Sequence, residues 1–231
     1  SLDINGRAAS VFGLAGPNGQ GLVLDPGQRF RVDLRNELDV PTIIHWHGQV
    51  PPNEQDGVPD MPMPMLEPGE TRSYDFEPVG GTHWMHSHVP VQEMQLLAAP
   101  LIVRTQADLK SDRQEVVLLL HDFSFKTPEE VLAEITGGHG AAHSHGHGSH
   151  AGAGSGSMGH GAMGHGAMDQ GAMMAGMDLN DHDWDAYLAN DRTLDDPEVV
   201  TVERRGRIRL RIINAATATV FWIDTVSLEA G

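Results

Sequence analysis

The segment "IIHWHG", residues 43–48, carries a His-x-His pair, and "HWMHSH", residues 83–88, carries a second one. Alternate side chains of a β-strand point to the same face, so the two histidines of each pair project together if their segment is extended. The four histidines are His45, His47, His86 and His88. Two such strands lying side by side would bring four imidazoles into one small volume. The pattern therefore predicts a metal site on neighbouring β-strands.

The surrounding sequence predicts more short strands. Residues 21–38 contain an apolar run, a Pro-Gly turn and then an alternating segment in which Phe30, Val32 and Leu34 share one face. Residues 66–76 repeat the order of turn and alternating strand, and residues 98–104 form a further apolar run. Short strands separated by turns, without helical periodicity, predict an all-β fold, either a β-sandwich or a barrel, with Greek-key connections.

A second unit is predicted from residue 105 onward. "EVVLLLHDFSF" (115–125) predicts a strand and residues 205–224 predict two more, while "TPEEVLAEI" (127–135) predicts a short helix with Thr127 as its N-cap. Apolar and basic side chains alternate in the 205–224 segment, and the apolar ones are Ile208, Leu210 and Ile212. These strands are too few for a closed sandwich. We therefore expect the chain to be part of a longer polypeptide.

Residues 137–177 form a low-complexity tract that contains much of the chain's Gly, Met and His. Gly, Ala and Ser bury too little apolar surface to offset the entropy of ordering them, so a disordered insertion is predicted. Thioether sulfur favours Cu(I) and imidazole also binds copper, which suggests weak, multisite accessory copper binding by the tract. The candidate ligands are Met158, His160, Met163, His165 and Met168. An inert linker is the alternative.

Composition excludes several classes of function. A formal net charge of −17 argues against nucleic acid as a partner, because phosphate binding needs clustered Lys and Arg. No apolar run approaches the ~18 residues that a membrane-spanning helix requires. The chain has no cysteine, so it forms no disulfide and lacks a usual ligand of structural zinc. It begins at Ser1 without a signal peptide, which predicts a processed or trimmed start.

The histidines have two alternative explanations besides a shared metal pocket. A lone core histidine is usually satisfied by backbone carbonyls, although two matched pairs make that explanation weaker. A cupin-type mononuclear site also begins with His-x-His, and "PVGGTH" (78–83) fits its later element. However, Glu54 lies too far beyond His47 for the cupin spacing, and the second His-x-His pair has no role in that pattern.

"HWHG" followed by "GTHWMHSH" resembles the first two of the four copper-binding motifs of three-domain, laccase-like multicopper oxidases. The resemblance implies cupredoxin-like domains, the first at residues 1–104 and an incomplete second at 105–231 that contains the insertion. It also implies that His45 binds the type 2 copper. The type 3 copper pair would be bound by His47, His86 and His88.

Asp56, in "QDGVP", matches an acidic residue that in this family helps to move protons near the trinuclear copper cluster. A turn-forming role before Gly57 is the alternative. His83 lies just before the second motif, outside its ligand positions, and we expect it to pack or to support a ligand.

The chain departs from the family in lacking the His-x-x-His-x-His and His-Cys-His motifs, whose cysteine binds the type 1 copper. We expect those ligands in a C-terminal domain beyond Gly231; a separate chain or an inactive fragment are the alternatives.

The resemblance implies an exported bacterial enzyme, periplasmic or secreted. It would couple one-electron oxidation of phenol-like substrates or Cu(I) to reduction of O2 to water. A copper-sequestering protein without turnover, and a β-sandwich interaction module that binds no metal, are the rival functions.

Overall fold

The computed structural model describes residues 1–17, 19–137 and 182–224. The strands are β1 (Leu2–Ile4), β2 (Arg7–Ala9), β3 (Ala15–Gly16), β4 (Gly19–Gln20), β5 (Leu22–Leu24), β6 (Phe30–Arg35), β7 (Ile44–His47), β8 (Thr71–Phe76), β9 (Gly81–Ser87), β10 (Ala98–Val103), β11 (Gln114–Phe123), β12 (Ala186–Ala189) and β13 (Ile208–Asn214). The helices are α1 (Pro90–Glu93), α2 (Gln106–Lys110) and α3 (Pro128–Gly137), with a single 3₁₀ turn at Asn53–Gln55. The dominance of strands confirms the all-β prediction.

Strands β7 and β9 lie next to each other in a four-stranded sheet of order β5-β10-β9-β7. Strand β9 is antiparallel to both of its neighbours, whereas β10 runs parallel to β5. Trp46 of β7 and Met85 of β9 are directly paired, and both are buried on the core side of this sheet. The pairing of these two strands decides where the histidines meet.

An antiparallel pair, β6 and β8, packs against the core side of that sheet. Phe30 of β6 stacks on Phe76 of β8 with ring centroids 4.5 Å apart, and Phe30 also contacts Trp46 at 4.7 Å. Val32 and Leu34 pack against the same cluster, which confirms the predicted apolar face of β6. Full burial of each large apolar side chain contributes roughly 2–3 kcal/mol, so this cluster anchors β7 and β9 from behind.

A three-stranded sheet of order β12-β11-β13 follows. Ala98 and Ile102 of β10 pack against Leu119 of β11 and Ile213 of β13, so this sheet shares a core cluster with the four-stranded one. The 205–224 segment forms one strand within the described residues, not the two predicted. Its remainder does not extend the sheet, because backbone N–H groups of Thr217, Ala218 and Thr219 donate to the buried Asp122 carboxylate instead.

The alternating pattern in β13 buries an arginine face. Arg211 is buried, and its guanidinium contacts Glu115, Asp108 and, at 2.8 Å, the Thr82 hydroxyl of β9. Ile208, Leu210 and Ile212, on the opposite face, are exposed in the described structure. The arginine face is stable inside because two carboxylates and a hydroxyl satisfy the charge.

The chain divides into two compact units, Ser1–Pro128 with Asp183–Gly231, and Glu129–His182. Within the second unit, α3 confirms the helix predicted after Thr127, and Glu134 lies 3.5 Å from His182 Nδ1. The predicted division into cupredoxin-like domains at 1–104 and 105–231 stays a prediction. Among the described residues, no helix is both long and apolar enough to cross a membrane.

Candidate metal centre

The histidines of β7 and β9 meet because of the strand register. His45 lies directly opposite His86, and His47 lies opposite Trp84. Since Trp46 and Met85 point into the core, the histidines on either side of them project from the other face of the sheet. His88 follows the last residue of β9, and its backbone N–H donates to the Ile43 carbonyl at 3.1 Å, which keeps it beside β7.

Four imidazole rings come together at this place. The centroid of His45 lies 5.6 Å from that of His47 and 5.5 Å from those of both His86 and His88. The His86 centroid lies 5.5 Å from that of His47 and 5.9 Å from that of His88. One ring nitrogen from each of His45, His47 and His86 lies within 4.8 Å of the other two. Nitrogens bound to one metal ion are roughly 3–4 Å apart, so these three nitrogens are close enough to serve one metal ion or neighbouring ions.

The ring of His45 is held by the loop that follows β7. Its Nδ1 donates to the Asp56 carbonyl oxygen at 2.8 Å, and the Asp56 carboxylate lies 3.5 Å away. Trp46 Nε1 donates to the Gln55 carbonyl at 2.9 Å, which ties the same loop to the strand. With Nδ1 as the donor, the unprotonated Nε2 of His45 is available to a metal.

Gly57 allows this loop to lie directly on β7. Its φ is +81°, and a Cβ built there would stand 1.9 Å from the Ile44 carbonyl oxygen. A larger residue would therefore push the loop off the strand. Asp56 thus lies beside His45, where its backbone carbonyl makes the close contact and its carboxylate is the more distant group.

His86 is held in the same way, from the other side. Its Nδ1 lies 3.0 Å from the Ser87 carbonyl oxygen and contacts the Glu93 carboxylate of α1. Its Nε2 is buried and makes no hydrogen bond within the described part of the chain. Buried polar atoms are nearly always satisfied, so an unpaired nitrogen among three other imidazoles fits a metal ligand. The residues present therefore fit the metal site that the sequence predicts.

The sequence patterns did not predict two residues that contact the His86 ring. The Trp84 ring stacks on His86, with centroids 4.1 Å apart and planes at 15°, and lies 5.2 Å from His47. Glu93 lies seven residues after His86, on a short helix that the strand pattern did not predict. The Trp84 contact could have been found from its i−2 position relative to His86, whereas Glu93 had no sequence signal.

The electrostatic environment favours neutral imidazole at His47. Desolvation lowers the pKa of His47 below its ordinary value, and the neighbouring His86 and His45 rings lower it further, while Glu93 acts in the opposite direction. Neutral imidazole is the metal-binding form. The lowered pKa therefore favours the metal-binding form of His47 at neutral pH.

The remaining candidates lie elsewhere. His83 sits one strand position from Trp84, on the opposite face of β9 from His86, and is packed between Gly48 and Gly81. The predicted accessory copper ligands Met158, His160, Met163, His165 and Met168, with the rest of the insertion at 138–181, lie outside the described residues.

Residues 13–108, which contain both His-x-His motifs, match the sequence model of a multicopper oxidase domain. Over this region the chain is similar to multicopper oxidases. That similarity implies copper as the metal. The resemblance seen in the two histidine motifs is thus confirmed.

Relatives of the multicopper oxidase region include copper-resistance proteins. The chain is 34% identical over 138 residues to copper resistance protein A of Pseudomonas syringae pv. tomato, covering 57% of this chain and 22% of that protein. It is 28% identical over 201 residues to the multicopper oxidase MmcO of Mycobacterium tuberculosis, covering 85% of this chain and 37% of that protein. The chain therefore spans about a fifth to two fifths of the length of these relatives.

The multicopper oxidase fold is also seen in a solved structure. The blue copper oxidase from Nitrosomonas europaea superposes with a TM-score of 0.55 at 22% identity, covering 90% of this chain and 58% of that one. At this identity the match concerns the fold alone. It confirms the cupredoxin-like fold class that the family resemblance implies.

Proposed function

We propose that this chain supplies part of the copper centre of a multicopper oxidase. His45 is the proposed type 2 copper ligand, and His47, His86 and His88 are the proposed type 3 ligands. The observation that carries the proposal is the buried, unpaired Nε2 of His86 among three other imidazoles. His121 also has buried, unpaired ring nitrogens, so what distinguishes His86 is the three other imidazoles whose rings surround it.

Copper in such a centre supplies one-electron redox chemistry, by which the complete enzyme would reduce O2 to water. This chain's own residues contribute geometry and proton handling. Loop 53–57 and the Glu93 helix hold two imidazoles by Nδ1 and leave Nε2 toward the pocket. Asp56, whose carboxylate lies 3.5 Å from His45 Nδ1 and is partly exposed, is the proposed residue that passes protons between solvent and the cluster.

The other ligands of the cluster must come from outside residues 1–231. The chain has no cysteine to bind a type 1 copper, and it lacks the two further histidine motifs of the family. We propose that a C-terminal cupredoxin domain provides them. Cupredoxin-like domains at 1–104 and 105–231 complete this proposed arrangement.

The electron donor is proposed to be a phenol-like substrate or Cu(I). The Cu(I) option is supported by the copper-resistance relative and by the Met/His tract, if that tract binds copper as hypothesised. A periplasmic or secreted location in a bacterium is the matching proposal.

Copper titration of the purified, metal-free chain tests the assignment. Trp84 stacks on His86, so Cu(II) bound at the site should quench its fluorescence, and calorimetry should give the affinity in parallel. A His45→Ala/His86→Ala double variant should lose the quenching and the tightest binding. A His160→Ala/His165→Ala double variant, which removes the same number of imidazoles from the tract, should keep both. Equal effects of the two double variants would overturn the site.

A copper store without turnover is the second candidate, and the absence of cysteine from the chain favours it. The full-length protein separates the two functions. An oxidase should show the intense thiolate-to-copper absorption of a type 1 site and consume O2 with a reducing substrate. A store should bind copper and do neither.

A further inference from the structure

We propose that Glu93 is a positioning residue for His86: it fixes the ring with its proton on Nδ1, so that Nε2 faces the metal pocket. The inference rests on the proposed copper function, because it assumes that His86 is a ligand. No strand or motif pattern marks Glu93. It is identified by its contact with the ring.

The contact is specific in its chemistry. Glu93 Oε1 meets Nδ1 of His86, whose side chain is 8% exposed, while the Glu93 side chain is 33% exposed. A carboxylate can only accept a hydrogen bond, so Nδ1 must carry the proton. Because a neutral imidazole carries one ring proton, Nε2 is left with its lone pair. That is the buried nitrogen without a partner.

Glu93 is held in place by its neighbour Gln92, which is 4% exposed. Gln92 Oε1 accepts from the hydroxyls of Thr42 at 2.7 Å and Ser87 at 2.8 Å, and its Nε2 donates to the Pro41 carbonyl at 2.8 Å. These partners precede β7 and end β9, so one side chain joins α1 to both histidine-bearing strands. The network fixes the backbone of Glu93 relative to His86 without using the Glu93 side chain.

The Glu93 carboxylate gives His86 Nδ1 a stronger acceptor than the backbone carbonyl beside it. The Ser87 carbonyl also lies 3.0 Å from His86 Nδ1, and it could hold the same tautomer as a neutral acceptor. A charged acceptor forms the stronger hydrogen bond and makes the ring a more basic ligand. Loss of such a partner typically lowers metal affinity about 10- to 100-fold. The Glu93 contribution is therefore separable from that of Ser87 by mutation.

The tautomer is measured directly on the metal-free chain by two-bond ¹H–¹⁵N NMR of the histidine rings, at a pH where they are neutral. Wild type should show His86 protonated on Nδ1. Glu93→Gln keeps an acceptor oxygen and should retain this tautomer. Glu93→Ala should convert His86 to a mixture of tautomers. A purely structural role for Glu93 predicts no such difference between the two variants in folded protein.

Cu(II) titration of the same variants measures the consequence. Glu93→Ala should bind about 10- to 100-fold more weakly than wild type, and Glu93→Gln should fall between them. Glu77→Ala removes an exposed carboxylate next to β8, outside the histidine-bearing sheet, and should leave the affinity unchanged. An unchanged His86 tautomer in Glu93→Ala would overturn the proposal, because Ser87 would then suffice. If wild type bound no Cu(II), the proposed copper function would be wrong. The tautomer measurement would still test whether Glu93 positions the His86 ring.

Discussion

Replacing Gly57 by alanine tests whether the loop on β7 sets the position of His45. Gly69 provides a matched control, because its φ of +79° is nearly the same as the +81° of Gly57. A Cβ at Gly69 would have nothing within 4 Å, whereas one at Gly57 would stand 1.9 Å from the Ile44 carbonyl oxygen. The two substitutions share the backbone strain and differ in the clash.

The expected sizes follow from these distances. Alanine in the left-handed region costs ~1 kcal/mol, which is the whole expected effect of Gly69→Ala. At Gly57 the loop must also retreat by roughly 1.5 Å to restore ordinary van der Waals contact with β7. That movement breaks the hydrogen bonds from His45 to the Asp56 carbonyl and from Trp46 to the Gln55 carbonyl. Each is worth ~1 kcal/mol, so Gly57→Ala should cost about 3 kcal/mol in all.

Urea unfolding of the metal-free chain measures both free energies, and Cu(II) titration of the folded variants measures the site. Gly57→Ala should also weaken copper binding, because His45 loses the carbonyl that orients its ring, while Gly69→Ala should bind as wild type does. Equal unfolding costs for the two variants, or unchanged copper affinity in Gly57→Ala, would refute the reasoning.

Three further changes test the core. Burial lowers the pKa of His121 from its ordinary value to about 4. As pH drops from ~6.5 to ~4, the unfolded state takes up a proton before the folded state does, so the free energy of unfolding should fall by about 3 kcal/mol. Urea unfolding of His121→Leu should show a flatter dependence on pH than wild type, and identical pH profiles would contradict this origin. Asp122→Ala should cost ~2–4 kcal/mol in the same assay, since three backbone N–H groups and a hydroxyl lose their acceptor, and a cost below ~1 kcal/mol would mean that water replaces it. Arg211→Leu should cost ~2 kcal/mol, because Glu115 loses one of its two guanidinium partners and keeps only Arg104. Arg31→Leu, in an exposed pair, should cost under ~1 kcal/mol, and similar values would argue against a buried network.

Much of the strand layout was predictable, because alternation and turn residues are local properties. The apolar face of β6 and the segments that became β7, β9, β10 and β11 follow from such patterns. The 205–224 segment was predicted less well. Its alternation predicted a strand, but which face of that strand is buried depends on whether carboxylates from other segments pair with the arginines. The second predicted strand does not form, because the backbone N–H groups after β13 donate to the Asp122 carboxylate.

The sequence by itself determined that each His-x-His pair shares a face, because a strand repeats every two residues. The order of the two motifs indicated the resemblance to multicopper oxidases. Only the tertiary structure decided that His45 lies opposite His86, since register depends on the packing of Trp46 and Met85 against the second sheet. The tertiary structure likewise decided that the Asp56 carbonyl orients the His45 ring and that the Glu93 carboxylate orients the His86 ring. The loop after β7 and helix α1 reach these rings only once the packed core has fixed the strands.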